Sequence, residues 1–206
     1  GRGSDVVYGG EGNDVISDED AEAGQKLYGE GGDDTITGGG QIYGGDGDDV
    51  INVTEYISNN SWDNNQIWGG LGNDRITVDQ NGSQYWDGVS YLYGGEGDDT
   101  ITVYSYVYAI YADDGDDSVL LDGDFYVGDI NLSSGDDVLD VTNWEGNLDN
   151  QIYMYGGSGD DVYTGRDVDK TNNTYDYVYG QDGQDVITGG DADEYFDGGS
   201  DEDVIS

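Results

Sequence analysis

The chain has 206 residues, and its 47 acids against 5 bases give a formal net charge of −42, with no His, Cys or Pro. That balance excludes nucleic acid, which needs a basic footprint, and it repels anionic membrane surfaces. No apolar run approaches the roughly 20 residues of a membrane helix. With no Cys there is neither a disulfide framework nor a thiolate metal site.

The acids are lopsided, 38 Asp against 9 Glu. A merely soluble surface would use both, whereas Asp is favoured where a short side chain must turn back onto nearby backbone or onto a hard cation. High charge with 38 Gly would suit a disordered chain, but 19 Tyr, 4 Trp and evenly placed Ile and Val oppose that reading. The repeat decides between the two.

In chain order, ten copies of one unit follow each other. The first turn is Tyr8-Gly-Gly-Glu-Gly-Asn-Asp14, and a weaker copy ends at Asp34. Three strong copies follow at Tyr43–Asp49, Trp68–Asp74 and Tyr93–Asp99, then two eroded ones at Ala112–Asp117 and Leu132–Asp137. Tyr155–Asp161 is strong again, and the last two copies end at Asp185 and Asp203.

Apolar residues flank every turn. Before it come Val7, Leu27, Ile42, Ile67, Leu92, Ile110, Ile130, Met154, Val178 and Phe196. After it come Ile16, Ile36, Ile51, Ile76, Ile101, Val119, Leu139, Tyr163, Ile187 and Ile205. Pairs such as Ile51/Val53 and Ile76/Val78 continue with period 2, the signature of a strand with one buried face. Each unit therefore reads as strand, Gly/Asp turn, strand and variable return. The closing aspartates are 20, 15, 25, 25, 18, 20, 24, 24 and 18 residues apart. Two short strands and two turns need roughly 18 residues, so the surplus is expected in returns such as 55–65 and 142–150, opposite the turns. At about 4.8 Å per strand step, ten coils make a rod nearly 50 Å long.

A tight turn needs residues at positive φ, which Gly supplies without a Cβ clash. Such a turn aims carbonyl oxygens inward, and the sixth-position Asp adds a carboxylate. Calcium takes 6–8 hard oxygens, more than one turn holds but within reach of two stacked turns. For one copy, an Asx turn without metal would explain the pattern. Ten stacked copies bring like carboxylates within about 5 Å, repulsive by roughly 1 kcal/mol at ε of 80 and about 3 at ε of 20, so cations are required.

These residues resemble the RTX nonapeptide family, Gly-Gly-x-Gly-x-Asp-x-hydrophobic-x. The resemblance implies an all-β, right-handed parallel β-roll or β-solenoid of about ten coils, secretion by a type I route, and folding triggered by external calcium. It also implies the ligands, namely the second and fourth Gly and the sixth-position Asp. In this chain these are Gly10, Gly12 and Asp14; Gly32 and Asp34; Gly45, Gly47 and Asp49; Gly70, Gly72 and Asp74; Gly95, Gly97 and Asp99; Gly115 and Asp117; Gly135 and Asp137; Gly157, Gly159 and Asp161; Gly183 and Asp185; and Asp203. Up to about nine calcium ions would lie between stacked turns. Typical arrays of the family repeat every nine residues with metal turns on both sides of the roll. Here the motif comes once per coil, so calcium is expected along one edge. The turns at 112–117 and 132–137 lack the first two Gly, Glu30 and Gln181 replace the second, and Asp201 replaces the fourth. The row is expected to be interrupted at the two middle turns, 112–117 and 132–137.

The residue before the Gly pair is Tyr8, Tyr28, Tyr43, Trp68, Tyr93, Tyr111, Asn131, Tyr155, Tyr179 or Asp197. It alternates with the core position and so points outward, as Tyr104, Tyr106 and Tyr108 should by the same rule. These rings would form a solvated ladder or a surface for self-association or glycan stacking. Sequons begin at Asn52, Asn59, Asn81, Asn131 and Asn172, a short pattern that chance explains.

Catalysis finds no support: without His or Cys the usual triads and thiol nucleophiles are missing, and the repeated carboxylates read as ligands. The chain reads as one solenoid over 1–206, a module of a longer or assembling protein, with a second subunit or flanking domains capping its ends. Its expected role is a secreted or cell-surface structural module: surface layer, filament or adhesin stalk. The rivals are a carrier and folding module of a secreted enzyme or toxin, and a carbohydrate-binding module using Tyr43, Trp68 and Tyr93.

Overall fold

The computed structural model describes residues 3–18, 24–54, 65–80, 88–146, 152–166 and 176–206. Two ten-stranded parallel sheets face each other, and every coil contributes one strand to each. Strands entering the turns are Val6–Glu11, Lys26–Gly31, Gln41–Asp46, Gln66–Leu71, Val89–Glu96, Val107–Asp114, Val127–Ser134, Ile152–Ser158, Asp176–Asp182 and Glu194–Ser200. Strands leaving them are Val15–Ser17, Thr35–Gly38, Val50–Val53, Arg75–Val78, Thr100–Val103, Ser118–Leu121, Val138–Asp140, Val162–Thr164, Val186–Thr188 and Val204–Ile205. Neighbouring strands in a sheet come from successive coils throughout, which is the parallel β-roll anticipated from the repeat. The described residues contain no helix long and apolar enough to cross a membrane.

Register follows from burial. Slipping a strand by one residue would send its apolar set to the solvent face, so like stacks on like. Ile36, Ile51, Ile76 and Ile101 pair in one column, and Leu27, Ile42, Ile67 and Leu92 in another. Nearly all the apolar residues flanking the turns are buried in one continuous core, with Val7 and Phe196 partly buried against it. Ile205 is exposed, because its strand has a neighbour on one side only. The described return residues join the leaving strand to the next entering strand, on the edge opposite the turns. The longest predicted returns fall mostly outside the described residues, as do the sequons at Asn59, Asn81 and Asn172. Those at Asn52 and Asn131 lie within strands.

One outward group departs from expectation. Tyr104 and Tyr108 are exposed, but Tyr106 is only 6% exposed, its ring stacked on Tyr126 at 5.3 Å. The chain turns a corner between Val103 and Val107, and period-2 alternation does not survive a corner.

The return edge carries a feature that the sequence pattern does not announce. Arg166 is fully buried. Its Nε donates to Asp176 Oδ2 at 2.8 Å, its Nη2 to Asp176 Oδ1 at 3.0 Å and its Nη1 to the Gly146 carbonyl at 3.0 Å. The guanidinium lies 4.5 Å from the centroid of the Trp144 ring, and Trp144 Nε1 donates to the Phe125 carbonyl at 2.9 Å. Bidentate pairing and stacking compensate a desolvated cation well.

The turns themselves need positive φ at the second and fourth motif positions, for example 126° at Gly45 and 131° at Gly47. Where the sequence departs from Gly, the conformation is kept all the same: φ is 78° at Glu30, 77° at Asp113, 80° at Ser133, 82° at Gln181 and 77° at Asp201. A side chain in this region costs about 1–2 kcal/mol. Glu30→Gly and Gln181→Gly should therefore each stabilise the folded protein by about 1 kcal/mol, measured by denaturant unfolding in saturating calcium. In the same assay Arg166→Ala should cost about 3–5 kcal/mol, because it removes the cation paired with the buried Asp176 carboxylate.

Candidate metal centre

Each turn is built from three consecutive tasks. The third-position residue ends the entering strand, and the fourth-position N–H donates to its carbonyl in the next coil, as Gly47 does to Leu71 at 2.7 Å. The fifth residue faces solvent. The sixth, always Asp, turns its side chain inward.

The inward aspartates form an unbroken ladder. In each, Oδ1 accepts the backbone N–H of the corresponding Asp one coil earlier. The run goes from Asp14 through Asp34, Asp49, Asp74, Asp99, Asp117, Asp137, Asp161 and Asp185 to Asp203, at 2.7–3.1 Å. The ladder crosses the eroded turns at Asp117 and Asp137 with bonds of 2.7 and 2.9 Å. The turn shape is therefore kept at 112–117 and 132–137, where backbone and Asp contacts impose it.

A second ladder lies outside it and runs in the opposite sense. Here the fifth-position side chain accepts the fifth-position N–H of the following coil: Asn13 from Asp33, Asp33 from Asp48, Asp48 from Asn73, Asn73 from Asp98, and onward to Asp160 from Gln184, at 2.8–3.2 Å. The nonapeptide pattern leaves this position as any residue. Its signal was nevertheless present, because the first eight copies carry Asn or Asp there.

The first-position Gly explains the other half of the Asp carboxylate. A Cβ on Gly44 would collide with Asp49 Oδ2 and with the Gly69 carbonyl oxygen of the next coil, and the same pair of obstacles recurs at Gly29, Gly69, Gly156 and Gly180. Where the first position is Gly, the inward carboxylate thus occupies the space that a side chain would fill. The turns at 112–117 and 132–137 instead carry the buried side chains of Ala112 and Leu132 there. The motif resemblance implied the second and fourth Gly as ligands, and the first Gly lies beside the carboxylate as well. The carbonyls of the second and fourth positions point along the stack: that of Gly45 faces the Gly70 α-carbon, and that of Gly47 faces Gly72, with Asp48 Oδ1 beside it. On the outer side Gly45, Gly70 and Gly95 line an open groove with Asp46, Glu96, Asp113 and Asp114.

The electrostatics are severe. Oδ2 of Asp34, Asp49, Asp74, Asp99, Asp117, Asp137, Asp161 and Asp185 is buried and has no hydrogen-bond partner. A buried carboxylate oxygen beside a backbone carbonyl, with no hydrogen between them, needs a proton or a cation. Burial raises the carboxyl pKa, aided by neighbouring carboxylates, to about 6 in Asp49 and Asp137, about 7 in Asp74, Asp99 and Asp161, and about 8 in Asp117. No group of three or more carboxylate side chains that could hold a metal occurs among the described residues. An ion here must therefore draw on backbone carbonyls. Hard carboxylate and carbonyl oxygens, and the absence of His and Cys from the chain, fit calcium rather than zinc or copper.

Outward from the same strands, the predicted aromatic ladder is present. Ring centroids lie 4.9 Å apart for Tyr8 and Tyr28, 4.6 Å for Tyr28 and Tyr43, 4.3 Å for Tyr43 and Trp68, 5.7 Å for Trp68 and Tyr93, and 5.1 Å for Tyr93 and Tyr111, all stacked. After Asn131 it resumes with Tyr155 on Tyr179 at 5.3 Å. Because each ring covers the next, Tyr43, Trp68 and Tyr93 offer edges rather than open faces.

A family model described as "RTX calcium-binding nonapeptide repeat (4 copies)" matches residues 1–17, 26–41, 41–54, 61–80, 87–103, 153–168 and 175–205, more than half of the chain. It passes over 104–152, where the two eroded turns lie. No curated protein and no solved structure matched the chain.

The raised carboxyl pKa values make proton and metal interchangeable. Without metal, the protonated form is the one the fold favours, so stability is present below the unfolded carboxyl pKa near 4 and lost as pH rises through about 6–8. The chelator-treated protein should therefore gain β circular dichroism as pH falls from about 8 to about 4. In parallel, calcium affinity should weaken over the same fall as protons compete.

Proposed function

The chain belongs to the RTX calcium-binding nonapeptide repeat family, and from that premise we propose that it is a secreted, extracellular or cell-surface structural module that folds on binding calcium. The ions form one row of up to about nine along the turn edge, between stacked coils. The sixth-position aspartates hold them, with carbonyls of the first, second and fourth motif positions. Calcium supplies the positive charge that lets the carboxylates stack. The chain's own residues present the oxygens, orient them through the two Asx ladders and keep the inner side of the turn dry. One observation carries the reading: eight buried aspartate oxygens without a hydrogen-bond partner. Each such carboxylate left bare costs several kcal/mol, and eight would exceed the roughly 5–15 kcal/mol by which a domain is stable.

Coupling of metal to folding suits export. Extracellular-type sites bind at roughly 10⁻⁴–10⁻³ M, so the chain stays unfolded in a calcium-poor compartment and orders outside it. A role without catalysis follows from the composition, which offers no His or Cys nucleophile or base, and from carboxylates committed to the turns. Continuous pairing across ten coils gives a stiff rod suited to a surface layer, filament or stalk.

Calcium titration of chelator-treated protein, followed by circular dichroism and by calorimetry to count ions, tests the reading. A cooperative gain of β signal is expected, and Asp74→Asn should shift its midpoint upward about tenfold or more. Full β signal persisting in chelator at neutral pH would overturn it.

A further inference from the structure

The aromatic ladder lacks one internal rung, and the gap has the shape of a site. Tyr111, Asn131 and Tyr155 pair in register on three successive strands. From Tyr8 to Tyr111 every ring is stacked on its neighbour, and Tyr155 is stacked on Tyr179. Among the described residues, Tyr111 is stacked by Tyr93 on one side only, and Tyr155 by Tyr179 on one side only. Their other faces look toward each other across Asn131, a side chain too short to fill the space.

We propose that this gap between Tyr111 and Tyr155, floored by Asn131, is a binding slot for one neutral pyranose ring of a saccharide. Two strand steps separate the walls by about 9.6 Å. That leaves room for one ring stacked on each, at the 4.3–5.7 Å spacing the ladder uses elsewhere. The floor is polar. Asn131 is half-buried and accepts only a long bond from Ser133 Oγ at 3.4 Å among the described residues, so its amide N–H groups remain available. Asp129, exposed and two residues earlier on the same strand, offers an acceptor beside it.

A pyranose has apolar C–H faces and a rim of hydroxyls, matching tyrosine walls over an amide and carboxylate floor. An aromatic side chain from a second copy fits worse, because its edge would strip water from Asn131 and Asp129 and return no hydrogen bond. The formal charge of −42 excludes uronates and other anionic sugars. The proposal needs the folded roll but not any particular number of ions, so it stands or falls separately from the calcium reading.

The test uses the calcium-saturated full chain, with circular dichroism confirming the fold of every variant. Methyl glycosides of glucose, galactose and mannose, N-acetylglucosamine and their short oligomers are titrated by saturation-transfer NMR. At least one should bind, with transfer concentrated on one ring face and the tyrosine signals. Asn131→Tyr completes the ladder and should abolish binding. Tyr155→Ala should weaken it about three- to tenfold, the worth of one ring contact, and Tyr43→Ala should leave it unchanged. Binding that survives Asn131→Tyr, or no binding by any of these sugars, would overturn the proposal. Self-association removed by Asn131→Tyr, with no sugar bound, would overturn it in favour of a second copy's ring.

Discussion

Stacking identical turns at one strand spacing sets an aspartate over an aspartate nine times, and the rest of the structure is arranged around that repulsion. Each carboxylate is split between two tasks. One oxygen is used up by the backbone N–H of the preceding coil, which ties successive turns together. In most turns the other is pressed into the space left by the first-position glycine, and in eight turns no protein donor reaches it among the described residues. A divalent cation is the natural complement, because it attracts carboxylate and carbonyl oxygens alike and carries enough charge to serve two turns. The outer ladder of Asn and Asp works beside it, in the opposite direction along the stack, so that successive turns from Asn13 to Gln184 are bonded both ways.

Around this edge the two sheets divide the remaining work. Inner faces supply a core of aligned Ile, Leu and Val columns, which fix the register and so place every carboxylate over its neighbour. The outer face of the entering sheet carries the aromatic ladder, whose ring contacts add about 0.5–1.5 kcal/mol each along the same axis that the carboxylates oppose. At the return edge, Arg166 joins Trp144 and Asp176 across three coils. It is a local solution to burying polar groups where chain lengths vary and no turn motif governs the geometry.

Much of this was legible from residues alone, because a repeat converts local pattern into long-range contact. Once Asp14 and Asp203 are seen as copies of one position, the pairing of ten coils follows, and so does the burial of Ile36 over Ile51 over Ile76. Erosion of the motif at Ala112 and Leu132 left the shape of those two turns unread. There Asp113 and Ser133 take up the left-handed conformation in place of glycine, and neighbouring coils hold them to it through the Asp ladder. Tyr106 shows the limit of periodicity, which holds inside a strand and fails at a corner.

The sequence by itself determined the fold class, the single row of turns and the choice of a hard cation, because each depends only on periodicity and on oxygen-bearing residue types at fixed offsets. Tertiary structure decided which atom faces which. It placed the first-position glycine rather than only the second and fourth beside the carboxylate, turned the fifth position into a second ladder, hid Arg166 on the return edge and opened one rung at Asn131. These depend on side-chain direction between coils 15 to 25 residues apart. A one-dimensional pattern carries the spacing of such groups but not their orientation.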